Sequence, residues 1–482
     1  MASPSPHIVV IGAGLGGLAA AEALLSEPES AAAGRRRVTI VEPSGRVGGV
    51  IATSCHDGWL VERSADSFLA ARPEGVALVE RLGLTGELIG VNGPARRALV
   101  LRDGRPRPVP SGFRLLAPGN ATALLTTPIL SPLGRLRVLA ERFVPAGDPA
   151  RADESLEGFA VRRLGREAFE RLVQPLASGI WTADPARLSM AAACPEFFAM
   201  ERRAGSLWAG ERSRLRSASG VPEAVGARYG QFVTLASGME TLPRRLAARV
   251  CQQGADIVTA VATGVARGPH GRWMITLDGP SAAGNPLDAD AVILAVPATA
   301  AARILVGCDA ALAGELAGID YAGASIVSLG FPRQSVAHPL DAAGLVVPRC
   351  ERRRILAVSF SSQKFPGRAP ADAMLMRTFV GGALDPDAAM LDDGGLTELV
   401  LAELRNMLGV RGSPLVVQID RWYGAMPQYH VGHVERVERI HRLVAAHEGL
   451  ALAGAAYEGV GIPQVIASGQ AAAAAVGGRR GR

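Results

Sequence analysis

Lysine is all but missing from this chain of 482 residues: of 51 basic residues only Lys364 is a lysine, and the rest are arginines. Aromatics make up 5% and do not interleave with the basic residues, which are scattered, so the net charge of +6 outlines no nucleic-acid surface. The five cysteines (Cys55, Cys194, Cys251, Cys308 and Cys350) are odd in number, far apart and contain no C-x-x-C. That excludes a disulfide scaffold and a structural zinc site, and points to reduced thiols and a cytoplasmic location. No run of eighteen apolar residues exists, so no transmembrane helix is expected. The first residues lack a basic segment followed by an apolar one, so no signal peptide is expected. There is no H-E-x-x-H, no Ser/His/Asp set and no evident pair of catalytic carboxylates. What is there is globular: 48% hydrophobic and 20% charged, long enough for two or three domains.

The strongest local signal is at the start. The apolar run His7-Ile8-Val9-Val10-Ile11 meets Gly12-Ala13-Gly14-Leu15-Gly16-Gly17, and an Ala-rich helix (Leu18 to Leu25) follows. Gly12 permits the tight strand-to-helix turn, Gly14 lets the backbone approach a pyrophosphate, and Gly17 allows close helix-on-strand packing. Phosphates then face the unpaired N–H groups of the helix N-terminus, Leu15 and Gly16 included. A second strand, Arg37 to Val41, ends in Glu42, placed to accept hydrogen bonds from a ribose. Strand, glycines, helix, strand and acid in this order predict a dinucleotide site.

The following Pro43-Ser44-Gly45-Arg46-Val47-Gly48-Gly49 is a second glycine-rich turn carrying an arginine. An NAD site has no need of it. A permanently held FAD gains from extra N–H groups and a guanidinium over its pyrophosphate, so the expected cofactor is FAD.

Farther on, residues 86–110 turn Arg- and Pro-rich with a β-like run at Ala98 to Leu101, and residues 111–215 read as mostly helical. A β-like run from Gln231 leads into a helix, followed by a strand pair (Ile257 to Val265, Trp273 to Leu277). A buried strand then runs from Ala291 to Val296, with Pro297 stopping it. Residues 300–415 alternate β-like runs with one helix near Leu396 to Leu408. The chain closes with the strand Leu450 to Gly454, the turn Tyr457-Glu458-Gly459-Val460-Gly461-Ile462, and a helix from Gln464 to Val476, returning a second helix N-terminus to the cofactor. The expected fold class is α/β: a discontinuous Rossmann-like FAD-binding domain (1–85, 228–298 and 415–482), an α+β substrate domain (86–110 and 299–414) and a helical domain (111–227).

Several segments, taken in order, resemble the protoporphyrinogen oxidase family within the monoamine-oxidase-like flavoproteins. They are Ser178-Gly179-Ile180-Trp181 before Asp184-Pro185, Glu201-Arg202-Arg203-x-Gly205-Ser206-Leu207, Phe360-Ser361-Ser362-x-x-Phe365-Pro366 and Phe379-Val380-Gly381-Gly382-Ala383. Trp422, Met426-Pro427-Gln428-Tyr429, Gly432-His433, Gly454 and Tyr457-x-Gly459-Val460-Gly461 complete the set. The resemblance implies non-covalent FAD and oxidation of a porphyrinogen to a porphyrin in three two-electron rounds, with O₂ as acceptor and H₂O₂ as product. It places Arg97 against a substrate propionate, the Gly179 carbonyl against the pyrrole nitrogens, and Val346, Ser359 and Phe379 on the ring. It sets the Val261 backbone by the adenine, Trp422 by the isoalloxazine, and Gly454, Val460 and Ile462 along the ribityl and pyrophosphate. Three positions depart from the family: Ser359 where an aliphatic residue is usual, Ser64-Ala65 for Gly-Pro, and Ser237-Gly238 for Gly-Gly.

Protoporphyrinogen IX is the expected substrate and coproporphyrinogen III the alternative; an amine or carotenoid oxidoreductase, or a non-catalytic flavin-binding protein, is the competing class. Amine oxidases of the group keep a lysine near flavin N5, and Lys364 does not match that place. Among the histidines His433 falls in a family motif, while His430 and His56 read as surface residues. The apolar segment Phe113 to Phe143, with Arg135, Arg137 and Arg142 interleaved, reads either as a helical lid or as a surface for anionic lipid. A homodimer and hand-over of product to the next tetrapyrrole enzyme are left open.

Overall fold

The computed structural model describes residues 5–26, 36–148, 150–217, 232–279 and 286–477. Five short strands form a parallel sheet in the order Asp256–Val258, Arg37–Val41, His7–Ile11, Ala291–Leu294, Leu450–Leu452. His7–Ile11 and Ala291–Leu294 are buried throughout and Arg37–Val41 is buried after its first residue, as expected where layers cover both faces of a parallel sheet. On one face the helix Leu15–Ser26 lies beside the last helix, Ile462–Gly477. Their approach is close enough that a Cβ on Gly469 would stand 2.2 Å from the Gly16 carbonyl oxygen. The opposite face is covered by the antiparallel trio Val261–Arg267, Trp273–Asp278 and Leu287–Ala289 around the fully buried Trp273.

Three expectations need correction. The run Ile257 to Val265 is not one strand: Asp256–Val258 joins the parallel sheet, and Val261–Arg267 turns away to pair with Trp273–Asp278. The segment Val416–Pro427, expected in the nucleotide domain, pairs with Tyr321–Pro332 at the edge of the other large sheet, so the return to the first sheet begins only at Leu450. Leu88–Gly90, expected with the substrate domain, pairs with Phe232–Leu235 and adds to the nucleotide side. The boundary at 227/228 and Gln231 lie outside the described residues.

The second sheet has seven strands in the order Val416–Pro427, Tyr321–Pro332, Ala373–Gly381, Ile355–Ser359, Gly344–Val346, Ala98–Arg102, Arg105–Pro108. Strand alternation gives it two faces. Leu99, Leu345, Val358, Met376 and Val380 pack toward the helix Asp393–Leu408, while Ala98, Val100, Val346 and Ala357 face the helical layer. That layer is held by a fully buried pair, Arg163 and Glu141. Glu141 also accepts hydrogen bonds from the amides of Leu207 (2.9 Å) and Trp208 (3.3 Å), fixing the start of the helix Leu207–Ser217.

Within 113–143, Leu115 is buried rather than surface-facing. Leu133, Leu136 and Phe143 stand out at 79%, 58% and 73% exposure. Arg135 and Arg137 turn back to donate to the carbonyls of Leu125, Leu130, Arg162 and Arg163. Among the described residues no helix is long and apolar enough to cross a membrane.

Candidate active site

The first glycine turn has the geometry its spacing predicts. Gly12 has φ +106°, and a Cβ there would strike the Ala295 carbonyl oxygen at 2.5 Å. A Cβ on Gly17 would fall 2.0 Å from the Gly12 oxygen, so helix and strand touch backbone to backbone. Gly14 differs: apart from the Cα of Gly49 at 4.0 Å, nothing stands near where its side chain would project. The first intrahelical bond runs from Leu18 N to Gly14 O, leaving the amides of Leu15, Gly16 and Gly17 without an intrahelical partner.

The second turn docks onto the first. Gly48 N donates to Ala13 O at 2.8 Å, and Gly14 and Gly48 form a parallel bridge. Arg46 spends its guanidinium within its own loop, on the carbonyls of Val47, Gly49 and Ile51. Glu42 accepts from Ala13 N (2.9 Å), Ser44 N (3.0 Å) and Ser44 Oγ (2.7 Å), three of the roughly four acceptor sites of a carboxylate. The last strand brings in the remaining piece: Gly454 lies 3.7 Å from a Cβ built on Gly16, and Val465, in the first turn of the last helix, lies 3.4 Å from it. Val465 N donates to Gly461 O, so Val460, Gly461 and Ile462 sit at that helix's N-terminus. Two helix N-termini and two glycine turns thus converge on one open space, and Glu42 N bonds Val258 O three residues before Val261. The open face at Gly14 and the unpaired amides fit the pyrophosphate of FAD; Glu42 and the Val261 edge fit its adenosine end.

On the second sheet, Val346, Ala357 and Phe379 are register partners on adjacent strands and share a face. Val346 Cγ1 is 3.5 Å from where a Gly179 Cβ would be, at the exposed end of the helix Gln174–Trp181, where Ile180 is 39% exposed. Trp422 lies on the same face through Ala324, and its indole Nε1 donates to Arg63 O at 2.6 Å. The structure therefore gathers Gly179, Val346, Phe379 and Trp422 on one wall. Ser359 sits one row over, paired with Gly344 and Arg377. Arg97 stands at the rim with Asp341 as partner.

Sequence reasoning singled out Ser64-Ala65 but missed what holds the segment Glu62–Ser67 around it. Asp66 lies 2.8 Å from Lys364 Nζ and 3.3 Å from Arg377 Nη1, and the Ser64 carbonyl accepts from Arg377. Burial would raise the Asp66 carboxyl, but the cations of Lys364 and Arg377 outweigh it and hold the group well below the usual carboxylate range. The available signal was the lone lysine set between Ser361-Ser362 and Phe365. Glu62, by contrast, is pushed up by burial, opposed by its bonds from Thr53 Oγ1 (2.7 Å) and Met239 N (2.9 Å). His433 is buried, stacked on Tyr429 at 4.1 Å with Nε2 at 3.1 Å from Tyr457 O, and burial lowers its pKa. It braces the Tyr457–Ile462 turn. His56 is exposed, and His430 is half-buried beside Asp320 and Arg187.

The family model for flavin containing amine oxidoreductases matches residues 15–477. The chain is 33% identical over 477 residues to the coproporphyrinogen III oxidase of Bacillus subtilis (strain 168), covering 98% of both proteins. It is 29% identical to the chloroplastic protoporphyrinogen oxidase of Nicotiana tabacum, covering 95% of this chain and 83% of the other. A solved structure from Exiguobacterium sp. 255-15, proposed to be a protoporphyrinogen oxidase, superposes with TM-score 0.84 at 28% identity over the full length of both. The glycine cradle, the shared wall and these full-length likenesses make the chain a member of the protoporphyrinogen oxidase family within the flavin containing amine oxidoreductases, with FAD as its cofactor.

Proposed function

We propose that this protein oxidises protoporphyrinogen IX to protoporphyrin IX, with O₂ as acceptor and H₂O₂ as product. The observation that carries the reading is the apolar wall of Val346, Ala357 and Phe379 facing the exposed turn at Gly179, beside the nucleotide cradle. A flat macrocycle suits such a slot, and removing hydrogen from its bridges needs orientation and dryness more than an acid–base pair. FAD, when bound, supplies the electron-accepting ring. The Gly179 carbonyl accepts from pyrrole N–H groups, Val346 and Phe379 hold the ring face, and Arg97 pairs with a propionate. Lys364 is committed to Asp66, which speaks against amine oxidation. The test is anaerobic mixing of the FAD-loaded protein with a porphyrinogen or with an amine. Bleaching of the flavin absorbance by the porphyrinogen alone is expected; bleaching by the amine alone would refute the reading.

Coproporphyrinogen III is the second reading, favoured by the name of the Bacillus subtilis relative. The exposed Leu133, Leu136 and Phe143 support shallow docking of the helical layer on an anionic membrane face, in keeping with a greasy product.

A further inference from the structure

Beside the apolar wall runs a polar row that this reading leaves unused. Ser359 and Ser328 are the register partners of Arg377 on either side, and Gly344 and Ala98 continue the row, Arg97 being the residue just before that strand. Ser328 Oγ, Arg377 Nε and Ser359 Oγ are buried and have no hydrogen-bond partner among the described residues. Arg377 is 1% exposed and Ser328 0%, whereas Ser359, like Phe379, retains partial exposure as a residue. Asp66 stands between two cations, Lys364 and Arg377, and Glu62 with Arg368 is a second buried pair whose carboxylate also faces Arg377. Orphaned buried donors carry a free-energy cost that an incoming acceptor such as a carboxylate removes.

We propose that Ser359 and Arg377 form a second anchor for a substrate carboxylate, and that Ser359 thereby raises kcat/KM for coproporphyrinogen III, the substrate of the second reading, relative to protoporphyrinogen IX. This rests on the porphyrinogen reading above. Two strand spacings separate Ala98 from Ser359, roughly 10 Å, so an anchor at Arg97 and one at Ser359 grip different edges of one macrocycle. Where a carboxylate becomes a vinyl group, the row keeps its orphans.

The experiment compares FAD-loaded wild type, Ser359→Ala and Ser359→Leu with coproporphyrinogen III and protoporphyrinogen IX, reading kcat and KM separately, with binding of the two porphyrins by fluorescence quenching. The ratio of kcat/KM for the first substrate over the second should fall about tenfold in Ser359→Leu and severalfold in Ser359→Ala, through KM, with the binding ratio following. If Ser359→Leu fails to hold FAD, the smaller Ser359→Ala decides. An unchanged ratio, or one changed through kcat alone, overturns the proposal while the porphyrinogen reading stands. Wild type that oxidises neither compound overturns both.

Discussion

Arg97 and Asp341 are engaged with each other at the rim of the candidate substrate slot. Arg97 Nε donates to the Asp341 main-chain carbonyl at 2.8 Å and Nη2 to its carboxylate. Both side chains are a little over 40% exposed, so the pair contributes at most about 1 kcal/mol to stability. On the proposed reading, the guanidinium is held in place for a propionate and Asp341 is its competitor.

Opposite effects on substrate binding follow for the two residues. Arg97→Ala should raise KM about tenfold with kcat little changed, the loss of one charge-assisted hydrogen bond. Asp341→Asn should lower KM severalfold by removing the competitor. Steady-state kinetics on both variants checks this; a collapsed kcat in Arg97→Ala would move Arg97 into the chemistry.

Two glycines of one turn should fail in different ways. A Cβ on Gly14 meets only the Gly49 Cα, at 4.0 Å, so Gly14→Val should fold with a near-native Tm and lose FAD, because its side chain fills the space the pyrophosphate needs. Gly17→Ala forces a Cβ onto the Gly12 oxygen and should cost about 1–3 kcal/mol of stability or more, whether or not FAD is added. FAD titration alongside thermal unfolding separates the two. Normal FAD content in Gly14→Val would refute the assignment of the first turn.

The single lysine should be a stability residue. Lys364→Met leaves Asp66 buried with Arg377 alone and should cost about 3 kcal/mol in urea unfolding. Asp66 stays ionised in the native state to lower pH than in the unfolded chain. Its contribution is therefore full above the ordinary carboxylate pKa of about 4 and is lost as pH falls below it. The acid slope of stability should be shallower in Lys364→Met; an unchanged slope would mean the pair is not formed.

The helical layer should bind anionic vesicles at low salt and be largely released near about 0.5 M salt, where screening shortens to a few ångströms. Replacing Leu133, Leu136 and Phe143 with Ser should weaken co-sedimentation without loss of FAD. Indifference to vesicles at every salt concentration would leave the segment as a lid.

What the sequence made legible is local chemistry. Gly12, Gly14 and Gly17, the acid at Glu42 and the closing strand, turn and helix each carry their meaning within a few residues. Val416–Pro427 reads as a strand from its own pattern, but nothing in that pattern says which sheet it joins. The partners of Arg97 and Lys364 were invisible for the same reason: Asp341 lies 244 positions from Arg97, and Asp66 lies 298 from Lys364. Leu115 and Leu136 look alike in a hydrophobic run, and only packing buries one and exposes the other at 58%.

The central claim is that the wall of Val346, Ala357 and Phe379 beside the FAD cradle turns over a porphyrinogen. The most direct measurement is aerobic incubation of the FAD-loaded protein with protoporphyrinogen IX and with coproporphyrinogen III, following porphyrin fluorescence and H₂O₂ together. The account predicts enzyme-dependent fluorescence growth with at least one of them, accompanied by one H₂O₂ for each two-electron round, and its loss in Gly14→Val. Fluorescence that rises no faster than in buffer for both compounds, from protein that carries its FAD, would contradict it.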